Sequence, residues 1–276
     1  MIFHSFFLYH PIPFYTFAYA TINKTNEKGV TMNTFNSIPA ITFTDVHKTF
    51  KDKEHSVLKG ISGTVMQGSL VMMVGPSGSG KSTLLSMCNL LSAPDEGSIE
   101  VYGKDISKWT ISDLRRKVGI AFQSAPVIDG TVRDNMMLVQ KLHGKQDIMP
   151  EELCALTGLS PHLLEQDARD LSGGQRQRLS LARTLSNGSD LLLLDEITSA
   201  LDATSAHEIE QLISHLHKEQ NKTIIWVTHN LDQAKRLGEE VWLLMNGVIV
   251  EKAKTETFFH TPVKAETKQF IEGAFL

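Results

Sequence analysis

Five consecutive apolar residues, Leu70-Val71-Met72-Met73-Val74, run straight into Gly75-Pro76-Ser77-Gly78-Ser79-Gly80-Lys81-Ser82-Thr83. No other stretch restricts the fold so tightly. A strand apolar at every position must be covered on both faces, as strands of a parallel sheet are. The G-x-x-x-x-G-K-S spacing that follows, opening onto Thr83-Leu84-Leu85-Ser86-Met87, calls for a turn of inward-facing N–H groups at the positive end of a helix. The pattern predicts a cradle for the phosphates of a nucleoside triphosphate, formed by Gly75 to Thr83. Lys81 would supply full positive charge at the β- and γ-phosphates, and the Ser82 hydroxyl a ligand for Mg²⁺.

The rest of the pattern alternates strands with helices. Ile41–Val46 and Gly60–Val65 carry the period-two alternation of half-buried strands, separated by the charged turn Lys51–Glu54, and Ser98–Tyr102 returns as a strand after the turn Ala93–Gly97. From about residue 112 to 170, helix-period segments such as Met149–Thr157 and His162–Asp167 suggest an inserted helical subdomain. Gln175–Leu185 then reads as a helix, Leu191–Leu194 as a buried strand, Ala206–His217 as an amphipathic helix and Thr223–Val227 as a further buried strand. That order implies a doubly wound α/β core, and 276 residues suffice for one large domain or two small ones.

Residues 1–39 stand apart. They are aromatic-rich, lack a basic leader region, and are interrupted by Pro11 and Pro13. We read them as an extension that is disordered or upstream of the true start, because codons for Glu27-Lys28-Gly29-Val30 can resemble a ribosome-binding site just before Met32. A net charge of −4 offers no basic footprint for nucleic acid. Cys88 and Cys154 lie far apart, as reduced residues packed like small apolar ones would. No apolar run reaches the roughly 18–20 residues that cross a bilayer.

Two further motifs carry chemistry. Leu191–Leu194 ends in Asp195-Glu196, where strand alternation lets one acid hold a Mg²⁺ shell and the other orient and deprotonate water. Leu171-Ser172-Gly173-Gly174-Gln175 leads into a helix without a following Lys-Ser. By itself that turn fits an anion-binding helix start and an ordinary cap equally well.

Together these motifs resemble the ATP-binding subunits of ABC transporters, from about Ala40 to the C-terminus. Ser199-Ala200-Leu201-Asp202, Gln123 after Val118–Phe122, and His229 after Ile224–Thr228 complete the set in the family's order. The resemblance implies a P-loop NTPase (RecA-like) α/β core with an N-terminal antiparallel β-subdomain and an inserted helical subdomain. It implies that Phe50 stacks on adenine, where the family more often has Tyr, with a core or turn aromatic as the alternative. Asp195 and Gln123 would join Ser82 at Mg²⁺, Glu196 would be the base, and His229 would hold the γ-phosphate, Glu196 and the water. His207, His215 and His217, on one predicted helix, read as a solvated face.

The resemblance further implies a head-to-tail pair of subunits, with the Ser172–Gln175 loop of one closing over ATP on the other and Asp202 near the interface. The partners expected are a second copy and a separate membrane permease, which would hold the subunit at the cytoplasmic face of the cell membrane; no nucleic acid is expected. The contact surface expected for the permease is the helical subdomain with Ser124–Thr131, to which Met136, Met137 and Leu138 add an apolar patch or, alternatively, a core filling. Ile197 and the Trp226–His229 stretch resemble a subgroup linked to iron export and metal tolerance, whereas the tail resembles phosphate-type importers. A soluble ABC ATPase of DNA repair or translation is the alternative from another class.

Overall fold

The computed structural model describes residues 38–50, 56–144 and 148–273. The extension through residue 37 and the turn Lys51–Glu54 lie outside the described residues. The strands are β1 (Pro39–Lys48), β2 (Leu58–Met66), β3 (Leu70–Val74), β4 (Glu96–Val101), β5 (Lys104–Asp105), β6 (Val118–Ala121), β7 (Leu191–Asp195), β8 (Thr223–Val227), β9 (Glu240–Met245) and β10 (Val248–Lys254). Among them β2-β1-β4-β5 form an antiparallel sheet, and β10-β9-β3-β8-β7-β6 a second one that is parallel except for the β9–β10 hairpin.

Consecutive apolar residues in the central strands serve opposite faces. Leu70, Met72, Val74, Leu192, Leu194, Ile224 and Trp226 enter one core with the helices, while Val71, Met73, Leu191, Leu193, Ile225 and Val227 enter another with the antiparallel sheet. The tryptophan and methionines have no exposure at all, so each removes its full apolar area from water, worth about 1.5–3 kcal/mol per large side chain.

The helices are α1 (Lys81–Met87), α2 (Ile111–Lys117), α3 (Val132–Met136), α4 (Leu138–His143), α5 (Pro150–Thr157), α6 (Gly173–Ser186), α7 (Ala203–Gln220), α8 (Leu231–Leu237), α9 (Thr255–His260) and α10 (Ala265–Ile271). Their ends follow local chemistry. Thr131 and Asp134 cap α3 reciprocally, α5 begins at a proline and stops at Gly158, and α7 runs from the Asp202 cap to Asn221 in the left-handed region.

Several expectations need correction. Residues 118–121, within the stretch read as helical, form β6 and pair in parallel with β7, so the helical insertion begins beyond Ala121. Four residues with a glycine among them make too short a run for periodicity to register. His162–Asp167 is no helix; the chain makes only a 3-10 turn at Pro161–Leu163. Met136 is wholly buried in the core, so it is filling rather than patch. His217 is also buried, its Nε2 lying 3.2 Å from Glu239 Oε1, because α7 continues to Gln220 and turns that position inward.

Candidate functional site

The loop after β3 is held open by backbone that only glycine tolerates. Gly75 has φ 148°, and a Cβ there would lie 1.9 Å from the Leu244 carbonyl oxygen; Gly80, at φ 106°, would meet Leu58 Cδ2 at 2.5 Å. Lys81, first residue of α1, folds back across this turn. Its Nζ donates to Gly75 O and Pro76 O at 2.8 Å each and to Ser79 Oγ at 3.4 Å. Burial holds its ammonium below the ordinary value, against the charges of Glu196 and Asp195, which raise it.

One residue on, Ser82 Oγ donates to Asp195 Oδ1 at 2.9 Å, so the phosphate loop and the end of β7 meet. Burial pushes the Asp195 carboxyl up, with Glu196 adding to the shift while Ser82, Lys81 and His229 oppose it. The donors gathered here are oxygens, with a single buried carboxylate among them. No group of three or more His, Cys, Asp or Glu that could hold a metal by itself occurs among the described residues. That set fits Mg²⁺, which is bound through one or two carboxylates together with substrate phosphates.

Glu196 follows in the left-handed region at φ 51°. Its N–H donates to Val227 O at 3.0 Å and its Oε1 contacts His229 Nε2. A non-glycine residue in that region persists where neighbours hold it. One of them was not assigned a role from sequence: Ser199 Oγ donates to Glu196 O at 2.8 Å and accepts from Gln123 Nε2 at 3.4 Å. Gln123, Glu196 and His229 therefore come together around the exit of β7, next to Ser82 and Asp195.

The second helix start is built differently. Ser172 Oγ accepts from Gln175 N at 3.3 Å, and Gln175 Oε1 accepts from Ser172 N at 2.9 Å, a complete capping box. Gly173 has open space where a Cβ would stand, and Ser172 is exposed. Asp202 Oδ1 caps α7 by accepting from Ser205 N at 2.9 Å, a bond that also holds its carboxyl below the usual range. Phe50 is half-buried, with Lys48 Nζ 5.6 Å from its ring centre. Asp95 fixes the approach to it, accepting from Lys48 Nζ at 2.8 Å and Thr49 N at 2.7 Å; nothing in the sequence pattern singled out that acid.

A groove of about 580 Å³ is lined in part by Leu91, Ile111, Phe122 and Leu142. Leu91, Ile111 and Leu142 are about half exposed or more, at 48%, 54% and 66%.

A glycine loop between a buried parallel strand and a helix, with a second strand delivering paired acids to it, defines a P-loop NTPase. Residues 58–199 match the model of the ABC transporter family, and the chain belongs to that family as an ATP-binding domain that hydrolyses ATP with Mg²⁺. It is 55% identical over 239 residues to a Bacillus subtilis (strain 168) protein with the provisional name ABC transporter ATP-binding protein YjkB, covering 86% of this chain and 96% of that one. Protein STAR1 of Oryza sativa subsp. japonica is 41% identical over 215 residues, 77% of this chain and 62% of that protein. Relatives named for import include MetN (methionine) of Bordetella avium (strain 197N) and PstB (phosphate) of Borreliella burgdorferi, each 36% identical. Among solved structures, the dimeric post-hydrolysis state of the ATP-binding cassette MJ0796 bound to ADP and Pi superposes with a TM-score of 0.72 at 30% identity, over 78% of this chain and 98% of that one. No helix among the described residues is long and apolar enough to cross a membrane.

Proposed function

We propose that two copies of this chain pair head to tail and that their ATP-driven closure moves a separate membrane subunit. The observation that carries this reading is one chain with two glycine-led helix starts, of which only the first is built together with the acids and His229. In a two-fold pair each nucleotide would lie between the Gly75–Thr83 loop of one copy and Ser172–Gln175 of the other. The open space at Gly173 supports close approach there, and Asp202 would face the seam.

Glu196 accepts the proton of the attacking water, and His229 keeps that carboxylate and the γ-phosphate in register. Bound Mg²⁺, held by Ser82, Asp195 and Gln123, would neutralise charge on the β- and γ-phosphates. Phe50 offers a π-face to adenine, for which the missing hydroxyl is no loss. Gln123, tied to Ser199 and directly following Phe122 of the groove wall, would link nucleotide state to whatever fills the groove. An apolar helix of the membrane subunit suits Leu91, Ile111 and Leu142, which would bring the chain to the membrane peripherally.

For the cargo, Ile197 and Trp226–His229 carry a metal-ion export reading, and the importer names among relatives favour the alternative of phosphate-type import. A gene neighbour encoding a lone multi-span protein supports export, and an accompanying binding protein supports import. The central test is Glu196→Gln. It should lower turnover by about 10²–10⁴-fold and leave an ATP-bound dimer on size-exclusion chromatography; full turnover, or a monomer under ATP and Mg²⁺ with the membrane subunit present, would overturn the reading.

A further inference from the structure

The strained exit of β7 and the helix that follows His229 are joined by one buried amide. Gln233, on α8, is 1% exposed. Its Nε2 donates to Thr198 Oγ1 at 3.1 Å and to Glu210 Oε1 at 2.9 Å. A carboxylate accepts only, so the amide orientation is fixed and the second hydrogen is aimed at Thr198. Glu210, on α7, is itself buried, and Arg236 Nη2 grips both its oxygens at 2.8 and 2.6 Å, with His207 Nδ1 at 3.7 Å. The amide is thereby anchored to a charged pair.

Each member of the Glu196–His229 contact sits within a few residues of this amide or of its partner Thr198. Thr198 lies two positions beyond Glu196. On the other side Asn230, next to His229, accepts from Gln233 N through Oδ1 at 2.9 Å and donates its own N–H to Thr228 Oγ1 at 3.0 Å. A position chosen for packing alone would carry an apolar side chain, since Gln233 Oε1 is buried without a hydrogen-bond partner among the described residues. Such an unpaired acceptor forfeits its hydration with nothing in return. The amide's two donated bonds offset that cost while tying loop to helix.

We propose that Gln233, anchored by Glu210 and Arg236, is a positioning residue for hydrolysis that keeps Glu196 and His229 in mutual register through Thr198. This rests on the roles proposed for Glu196 and His229. The experiment compares Gln233→Met and Thr198→Val, each close in volume to the residue replaced, with their double variant, Thr198→Ser and Glu196→Gln. Steady-state ATPase, ATP affinity by equilibrium titration, and thermal unfolding are measured on each.

Each single variant should lose about 10- to 100-fold in kcat while KM and ATP affinity stay within about twofold, as when reacting groups drift by a fraction of an ångström to an ångström. The double variant should fall no further than Gln233→Met alone, because Thr198→Val then removes a bond that is already gone. Thr198→Ser, which keeps the acceptor oxygen, should recover most of the rate. Unchanged kcat, additive losses, or losses matched by weakened ATP binding or unfolding would overturn the positioning role. Normal rates in Gln233→Met and Thr198→Val beside an inactive Glu196→Gln would sink this proposal alone, whereas full turnover in Glu196→Gln would remove the base assignment on which it stands.

Discussion

The two glycine-led helix starts differ in what their glycines are for. At α1 the glycines are demanded by the chain itself: Gly75 and Gly80 have positive φ and a Cβ would strike backbone or a core side chain. No side chain caps α1, and Lys81 occupies the turn. At α6 the cap is complete without any ligand, and Gly173 has neither positive φ nor a neighbour where its Cβ would be. The first is a turn formed by internal necessity, the second a finished helix end whose Gly173 faces open space.

Alanine at each glycine gives the sharpest way to break that contrast. Gly75→Ala should lose ATP binding and at least about 3 kcal/mol of stability, a fall in unfolding temperature of about 6–12 °C. Gly173→Ala should do the opposite to the fold, gaining about 0.4–1 kcal/mol, yet lower turnover about 10- to 100-fold by keeping the opposing nucleotide at a distance. Calorimetry and ATPase assays on the two variants check both; a Gly173→Ala protein that is stable and fully active would refute the idea of a surface reserved for close approach.

Ser172→Ala is expected to have a smaller effect on the fold. Loss of the cap costs about 1 kcal/mol, or about 2–4 °C, and the ATP-dependent pairing of a Glu196→Gln background should weaken alongside it in sedimentation experiments.

The smallest effects are in pH dependence, where the two regions have opposite signs. Asp195 keeps its proton longer folded than unfolded, so its contribution declines as pH rises from 3.8 through its higher folded value. Asp202 is held below 3.8 by its cap, so its contribution is present above that pH and disappears as pH falls through the lower folded value. Urea midpoints measured across both windows should lose the first slope in Asp195→Asn and the second in Asp202→Asn. A shared sign would erase the distinction between the two regions.

What could be read in advance follows the same division. Features set by local pattern are legible: β8 has the bounds its apolar run predicts, and the glycine loop and acid pair, marked by their spacing, are brought together by the fold. β6 was swallowed by the helical insertion because its burial comes from β7, which is remote in sequence. His217 reads as solvated because its partner Glu239 lies in the bend before β9, remote in sequence. The contacts of Ser199, Asp95 and Gln233 escape the sequence for a related reason: a hydroxyl, a carboxylate or an amide gains meaning only from the groups that folding sets beside it.

Lys81 carries a last consequence. Its ammonium is already bonded to the carbonyls of Gly75 and Pro76, and burial disfavours its charge. On the proposed role of the loop, phosphate would compete with these carbonyls for the ammonium, so capture would be a swap of partners.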